Sequence, residues 1–129
     1  MPGDQHVDAR PGDRAAPVAA LAEQVGRLAD RLRSLSDVRL RAALPGGGSR
    51  ADAAHRVAQQ LADAAARLAG EPVRPVPRLD DLVVGGQVAV TGAVLLAALD
   101  RAARDDPDGP WRAAAESALS AVRTLRDQV

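Results

Sequence analysis

The sequence has no cysteine, no lysine, no phenylalanine and no tyrosine, and only one tryptophan, Trp111. Without thiols, disulfides, thiol catalysis and Cys-based zinc or iron-sulfur sites are excluded. Without lysine, so are Schiff-base chemistry and a lysine-type phosphate loop. No row of aromatic rings exists on which bases could stack. A basic excess is also missing: 17 arginines face 17 acids, for a formal net charge of zero. A protein that neutralises phosphates normally carries such an excess, so no nucleic-acid partner is expected. The two histidines are His6, near the start, and His55, and no paired-histidine metal spacing or nucleophile elbow occurs. Neither a metal nor a cofactor is expected, nor a catalytic residue.

What remains is aliphatic. With 29 Ala, 15 Leu and 14 Val among 129 residues, the chain is long enough for one domain, whose core must be built from small and branched side chains. Closely packed helices suit such a core. Ala, Arg and Gly have GC-rich codons, which points to a high-GC bacterium. Residues 1–16 are polar and lack the apolar run of a secretory signal. They read as a disordered tail, residues 17–129 as one helical domain, and the protein as cytoplasmic.

Along 17–35, Val18, Leu21, Val25, Leu28, Leu32 and Leu35 recur in steps of three and four, the signature of a helix with one apolar face. Residues 36–44 read as a short extra helix or a continuation, ended by Pro45 and Gly46 to Gly48. That glycine run reads as a flexible connector. Ser49 and Asp52 have capping-box spacing and open a helix over 50–69, with Ala54, Val57, Ala58, Leu61, Ala65 and Leu68 as its stripe and Gly70 as its stop. Prolines at 72, 75 and 77 make the next segment an extended crossover. A final helix over 110–127, with Asp108 placed to cap it, carries Trp111, Ala115, Ala118, Val122, Leu125 and Val129 on one face. Five acid-to-arginine pairs at i, i+4 mark the solvated faces: Glu23–Arg27, Asp37–Arg41, Asp52–Arg56, Asp63–Arg67 and Asp100–Arg104.

Between these lies "LVVGGQVAVTGAVLLAAL", residues 82–99, without a charge. By length alone it qualifies as a membrane span. Gln87 and Thr91 near its centre, its glycines, and the lack of an aromatic belt argue against that. The three one-faced helices need a common partner, and a helix over about 80–104, apolar on every side, fits that role. It is expected to be the most buried of the four. Gly85, Ala89, Gly92 and Ala93 then form a ridge of small residues that permits close helix contact. The fold expected is therefore all-α, a four-helix bundle with a Pro-rich crossover between its second and third helices.

Residues 32–65, "LRSLSDVRLRAALPGGGSRADAAHRVAQQLADAA", resemble the first two helices of the DinB and mycothiol-dependent maleylpyruvate isomerase-like bundles: a leucine-rich helix, a proline-glycine break, then a helix with a histidine in its first turns. The resemblance implies a four-helix bundle. In those families it also implies a histidine-based divalent metal site and thiol-dependent transferase or isomerase activity. Here His55 stands about one position off the family register, the tryptophan expected after the break is missing, and the last helix has no histidine pair. The bundle is carried over, and the metal chemistry is not. The whole chain is also similar to small helical proteins of actinobacteria.

The leading function expected is a non-catalytic interaction or structural protein, a homodimer through its first or last helix or a partner of another protein. Trp111 is weighed both as a core anchor and as an interaction anchor. The alternative is a degenerate DinB-like bundle that binds a small apolar or thiol metabolite, with Arg50, His55, Gln87 and Thr91 as ligand-binding residues. A single-span membrane protein through residues 82–99 is the second alternative.

Overall fold

A computed structural model describes residues 14–129 and shows an all-α protein of four main helices packed together. Helices α1 (Ala16–Ser34), α3 (Arg50–Ala69), α4 (Val84–Asp105) and α5 (Trp111–Gln128) form the bundle. The short α2 (Asp37–Arg41) links the first two, and a single 3₁₀ turn, Asp81–Val83, leads into α4. The tail expected over 1–16 lies mostly outside the described residues. Its last three residues are placed, and they are built into the fold: Ala16 already belongs to α1, and Arg14 makes a two-pronged ion pair with Asp100 of α4 at 2.9 and 3.1 Å.

Each one-sided stripe turns inward. Val18, Leu21, Val25, Leu28, Leu32 and Leu35 are buried, as are Trp111, Ala115, Ala118, Val122, Leu125 and Val129. Helix α3 buries Ala54, Val57, Ala58, Leu61 and Ala65, while Leu68 at its end is half-buried. Local chemistry sets the helix ends as the residue types require. Ser49 Oγ accepts from Asp52 N–H while Asp52 accepts from Ser49 N–H, and Gly70 closes α3 at φ 69°, a conformation open mainly to glycine. Asp108 does not cap α5. Pro110 stands at that position, with no side-chain cap. The glycine segment is an ordered turn rather than a flexible connector: Leu44 N–H donates to Gly48 O, Arg50 N–H to Ala42 O, and Gly47 and Gly48 take positive φ. Leu44, buried at its edge, holds the turn on the core.

Tertiary contacts fix the helix directions. Gly92 of α4 meets Val25 of α1, and Gly85 meets Ala29 and Arg33, so these two helices run antiparallel. Arg126 of α5 donates to Gln24, and Arg31 of α1 to Val129 O, so α5 runs parallel to α1. Helix α3 then runs alongside α4 in the same direction, which a short loop cannot connect. The proline segment is the return path. Helix α3 is about 30 Å long at 1.5 Å per residue, and residues 71–80, fully extended at about 3.1 Å each, cover the same length.

Helix α4 departs from expectation. It is not buried all round, and it buries no more of itself than its neighbours do. Val84, Val88, Leu95 and Leu99 are fully enclosed, whereas Val90 and Val94 are 64% and 55% exposed. The expected ridge is half right: Gly85 and Gly92 face α1, but Ala93 points outward.

Candidate functional site

The proline strap explains most of the polar residues singled out in the sequence. An extended segment has no internal hydrogen bonds, so side chains must hold it if it is to lie in one place. His55 Nε2 lies 2.9 Å from Val76 O. Gln59 uses its whole amide: Nε2 donates to Arg74 O at 2.9 Å and Oε1 accepts from Val76 N–H at 2.7 Å. From α4, Gln87 Nε2 donates to Pro77 O at 2.8 Å. The fold thus brings His55 and Gln87 together, one on each side of the strap. Gln59, overlooked in the sequence, completes the clamp. Its i+4 spacing from His55 on one helix face was the available signal.

At the strap's far end, Arg78 bridges Asp52 of α3 and Asp81 of the 3₁₀ turn, both at 2.9 Å. Asp52 also accepts from Ser49 N–H, and chiefly this bond, with the Arg78 guanidinium next, holds its carboxyl below the ordinary range. Three of the five expected i, i+4 pairs are displaced by such contacts. Glu23–Arg27 and Asp37–Arg41 form, at 2.8 and 2.9 Å. Asp52 is taken by Arg78, Asp63 by Gln59 Nε2 and Asp100 by Arg14.

Arg50 opens α3 beside the glycine turn, with its Nε buried and without a protein partner; Gln87 Oε1 is in the same condition. Thr91 Oγ1 donates back to Gln87 O of its own helix at 2.8 Å. Trp111 lies on the other side of the bundle, 3% exposed, its indole N–H shared between Asp106 O and Pro107 O and the Arg112 guanidinium 4.7 Å from its ring centre. It anchors α5 to the core and offers no large surface to a partner. Beside it, α3 and α5 stand apart along a half-open cleft of about 760 Å³. Leu68, Ala64, Ala114, Ala118 and Trp111 line it, together with Asp63 and Arg67. Among the described residues no three His, Asp or Glu side chains converge as metal ligands.

The outer side of α4 is the other feature without a structural explanation. Leu82, Val83, Val90 and Val94 are exposed, and Gly86, Ala93 and Ala97 lie between and beyond them. A groove of about 550 Å³ between α3, the strap and α4 borders this surface; Val90 and Val94 line it with Ala66 and Ala69, and Glu71 and Arg74 of the strap bring charge to it. With its leading turn, Asp81–Asp105 is long and apolar enough to cross a membrane. The signal for this face was present in the sequence: Val83, Val90 and Ala97 fall at seven-residue intervals, on a helix with more apolar surface than one core can use.

These features define an all-α bundle with a strapped crossover. No family model, no curated protein and no solved structure matches the chain.

Proposed function

We propose that the chain is a non-catalytic helical bundle that works by protein association, and that the outer face of α4 is its contact surface. One observation carries this reading: a helix whose inner side is fully enclosed leaves two valines more than half exposed on an uncharged outer side. Exposed apolar surface gathered on one face, rather than scattered singly, marks interaction sites. The first and last helices are poor alternatives, because their stripes are consumed in the core and their outward positions are charged, as at Glu23, Arg27, Arg112 and Glu116. A membrane span through α4 would withdraw Val84, Val88, Leu95 and Leu99 from the core and strand the stripes of α1 and α3. In extract of its own cells the chain should migrate in an assembly larger than a monomer, and the Val90→Asp, Val94→Asp double variant should migrate as a monomer with unchanged helicity. A wild type that is monomeric both in extract and, purified, at high micromolar concentration overturns the reading.

The cleft beside Trp111 supports a second reading, a binding site for a small apolar or thiol metabolite. Its volume falls within the usual range for small-molecule sites, roughly 300 to 1,000 Å³. Trp111 is the only aromatic residue, so its emission reports on this cleft alone. Titration with aliphatic thiols should shift or quench it, and constant emission across a chain-length series discards the idea.

A further inference from the structure

Val83 at the end of the 3₁₀ turn and Gly86, Val90, Val94 and Ala97 of α4 follow one another along one outer face, about 21 Å from end to end, with no charge among them. We propose that this face pairs with the same face of a second copy of the chain, antiparallel, about a two-fold axis at Val90. The inference rests on the association reading above and names its partner.

Shape favours a second copy. The stripe is nearly symmetric about Val90: Val83 and Ala97 stand seven positions either side, Gly86 and Val94 four. In an antiparallel pair Val83 therefore lies over Ala97 and Val94 over Gly86, and only Val90 meets its own copy, on the axis. A parallel pair in register would stack valine on valine and leave glycine opposite glycine, with a void between. Interdigitation of large with small is what close helix packing requires.

Charge favours the same orientation. The face begins beside Asp80 and Asp81 and ends at Arg101 and Arg104, two arginines without an ion pair among the described residues, with the exposed Asp105 next to them. Arg78 already engages Asp81, and Asp80 is exposed. Antiparallel pairing sets the arginine end of one copy against the Asp80 end of the other, and it opposes the helix dipoles. A parallel pair would set acid against acid. A membrane surface fits less well: an interfacial helix favours basic residues with Trp or Phe at the boundary, and here one end of the face is acidic and no aromatic lies on it. A seam made by one helix is small beside the roughly 800 Å² per partner of a stable complex, so association should depend on concentration over the micromolar range.

The chain has no cysteine, so engineered thiols report without background. Full-length Val83→Cys and Ala97→Cys, each alone, should give little disulfide on oxidation, and their mixture should give the mixed disulfide. Sedimentation equilibrium should show a monomer–dimer equilibrium that Val90→Arg shifts to monomer, without lowering the Tm of the dilute, monomeric chain. Rapid disulfide formation by Val83→Cys alone overturns the antiparallel arrangement. A wild type that stays monomeric, yet shows Val90-dependent assembly in extract or Val90-dependent flotation with phosphatidylglycerol vesicles, overturns self-pairing and leaves this face to another partner. A dimer indifferent to Val90→Arg overturns both this proposal and the role of the face.

Discussion

The two sides of α4 are both apolar and meet opposite fates. On the inner side, Val84, Val88, Leu95 and Leu99 are fully enclosed, and Gly85 and Gly92 let α1 approach closely. On the outer side Gly86 again stands between valines, yet Val90 and Val94 are more than half exposed. Apolarity therefore did not decide burial. Neighbours did: α1 and α3 flank the inner side, and the strap, held against α3 by His55 and Gln59, passes the outer side without covering it.

The sharpest way to break this comparison is to truncate one residue on each side. Leu99→Ala should cost about 2 to 5 kcal/mol, because the lost transfer energy is joined by a cavity the helices cannot fully close. Val94→Ala, on the exposed side, should stay within about 0.5 kcal/mol. Urea denaturation of the two variants measures both. Equal losses would mean that the outer face is covered in solution even in the isolated monomer.

The glycines sharpen it further, because the same substitution should change sign across the helix. A Cβ at Gly92 would stand 2.5 Å from Val25 Cγ1, and Val25 is a stiff, buried side chain with little room to turn. Overpacking costs about 1 to 3 kcal/mol, against roughly 1 kcal/mol gained in helix propensity, so Gly92→Ala should destabilise on balance. A Cβ at Gly86 meets nothing within 4 Å, and Gly86→Ala should stabilise by about 0.5 to 1 kcal/mol. Thermal melts of both variants, read beside the wild type, test the pair.

This also shows what the sequence could and could not reveal. The stripes of α1 and α5 are one-sided, so their phase alone told which residues would be buried, and Ser49 with Asp52 marked the start of α3 through a purely local exchange of hydrogen bonds. Helix α4 has apolar residues on every side and therefore no phase to read; only its neighbours select a face. The acids failed for a related reason. Asp52, Asp63 and Asp100 each have an arginine one turn away, but Arg78 and Arg14 arrive from elsewhere in the fold to take Asp52 and Asp100, and Gln59, one turn earlier on α3, takes Asp63. His55 and Gln87 could be recognised as unusual polar groups, whereas their shared occupation with the strap depended on where ten extended residues would run.

The strap that passes the outer face gives a smaller effect. Gln59→Ala removes the amide that binds Arg74 O and Val76 N–H, and the carboxamide partner of Asp63 with it. Water can reach the exposed strap and replace part of what is lost, so the expected cost is about 1 kcal/mol rather than the sum of three bonds. Hydrogen exchange should quicken at Val76 N–H before it does in the helices. Unchanged protection there would mean that packing, not the clamp, holds the strap beside α4.

The smallest effect is at the end where both faces begin. Asp52 receives Ser49 N–H and Arg78, and both bonds favour the carboxylate, so its folded pKa lies below the ordinary value of about 3.9. A group depressed in this way contributes stability that is present above the unfolded pKa and is lost as pH falls through the folded one. The site is nearly half exposed, so a few tenths of a kcal/mol is the expected size. Asp52→Asn keeps an oxygen for Ser49 N–H but sets an amide NH2 where the oxygen toward Arg78 stood, so it removes the charge and that bond together. The stability gap between wild type and variant should therefore be constant from pH 7 to 5 and close below about pH 4, where the wild-type carboxylate protonates as well. A gap that persisted to pH 2 would assign Asp52 a role of shape and hydrogen bonding, and would leave Arg78 tied to the entry of α4 by Asp81 alone.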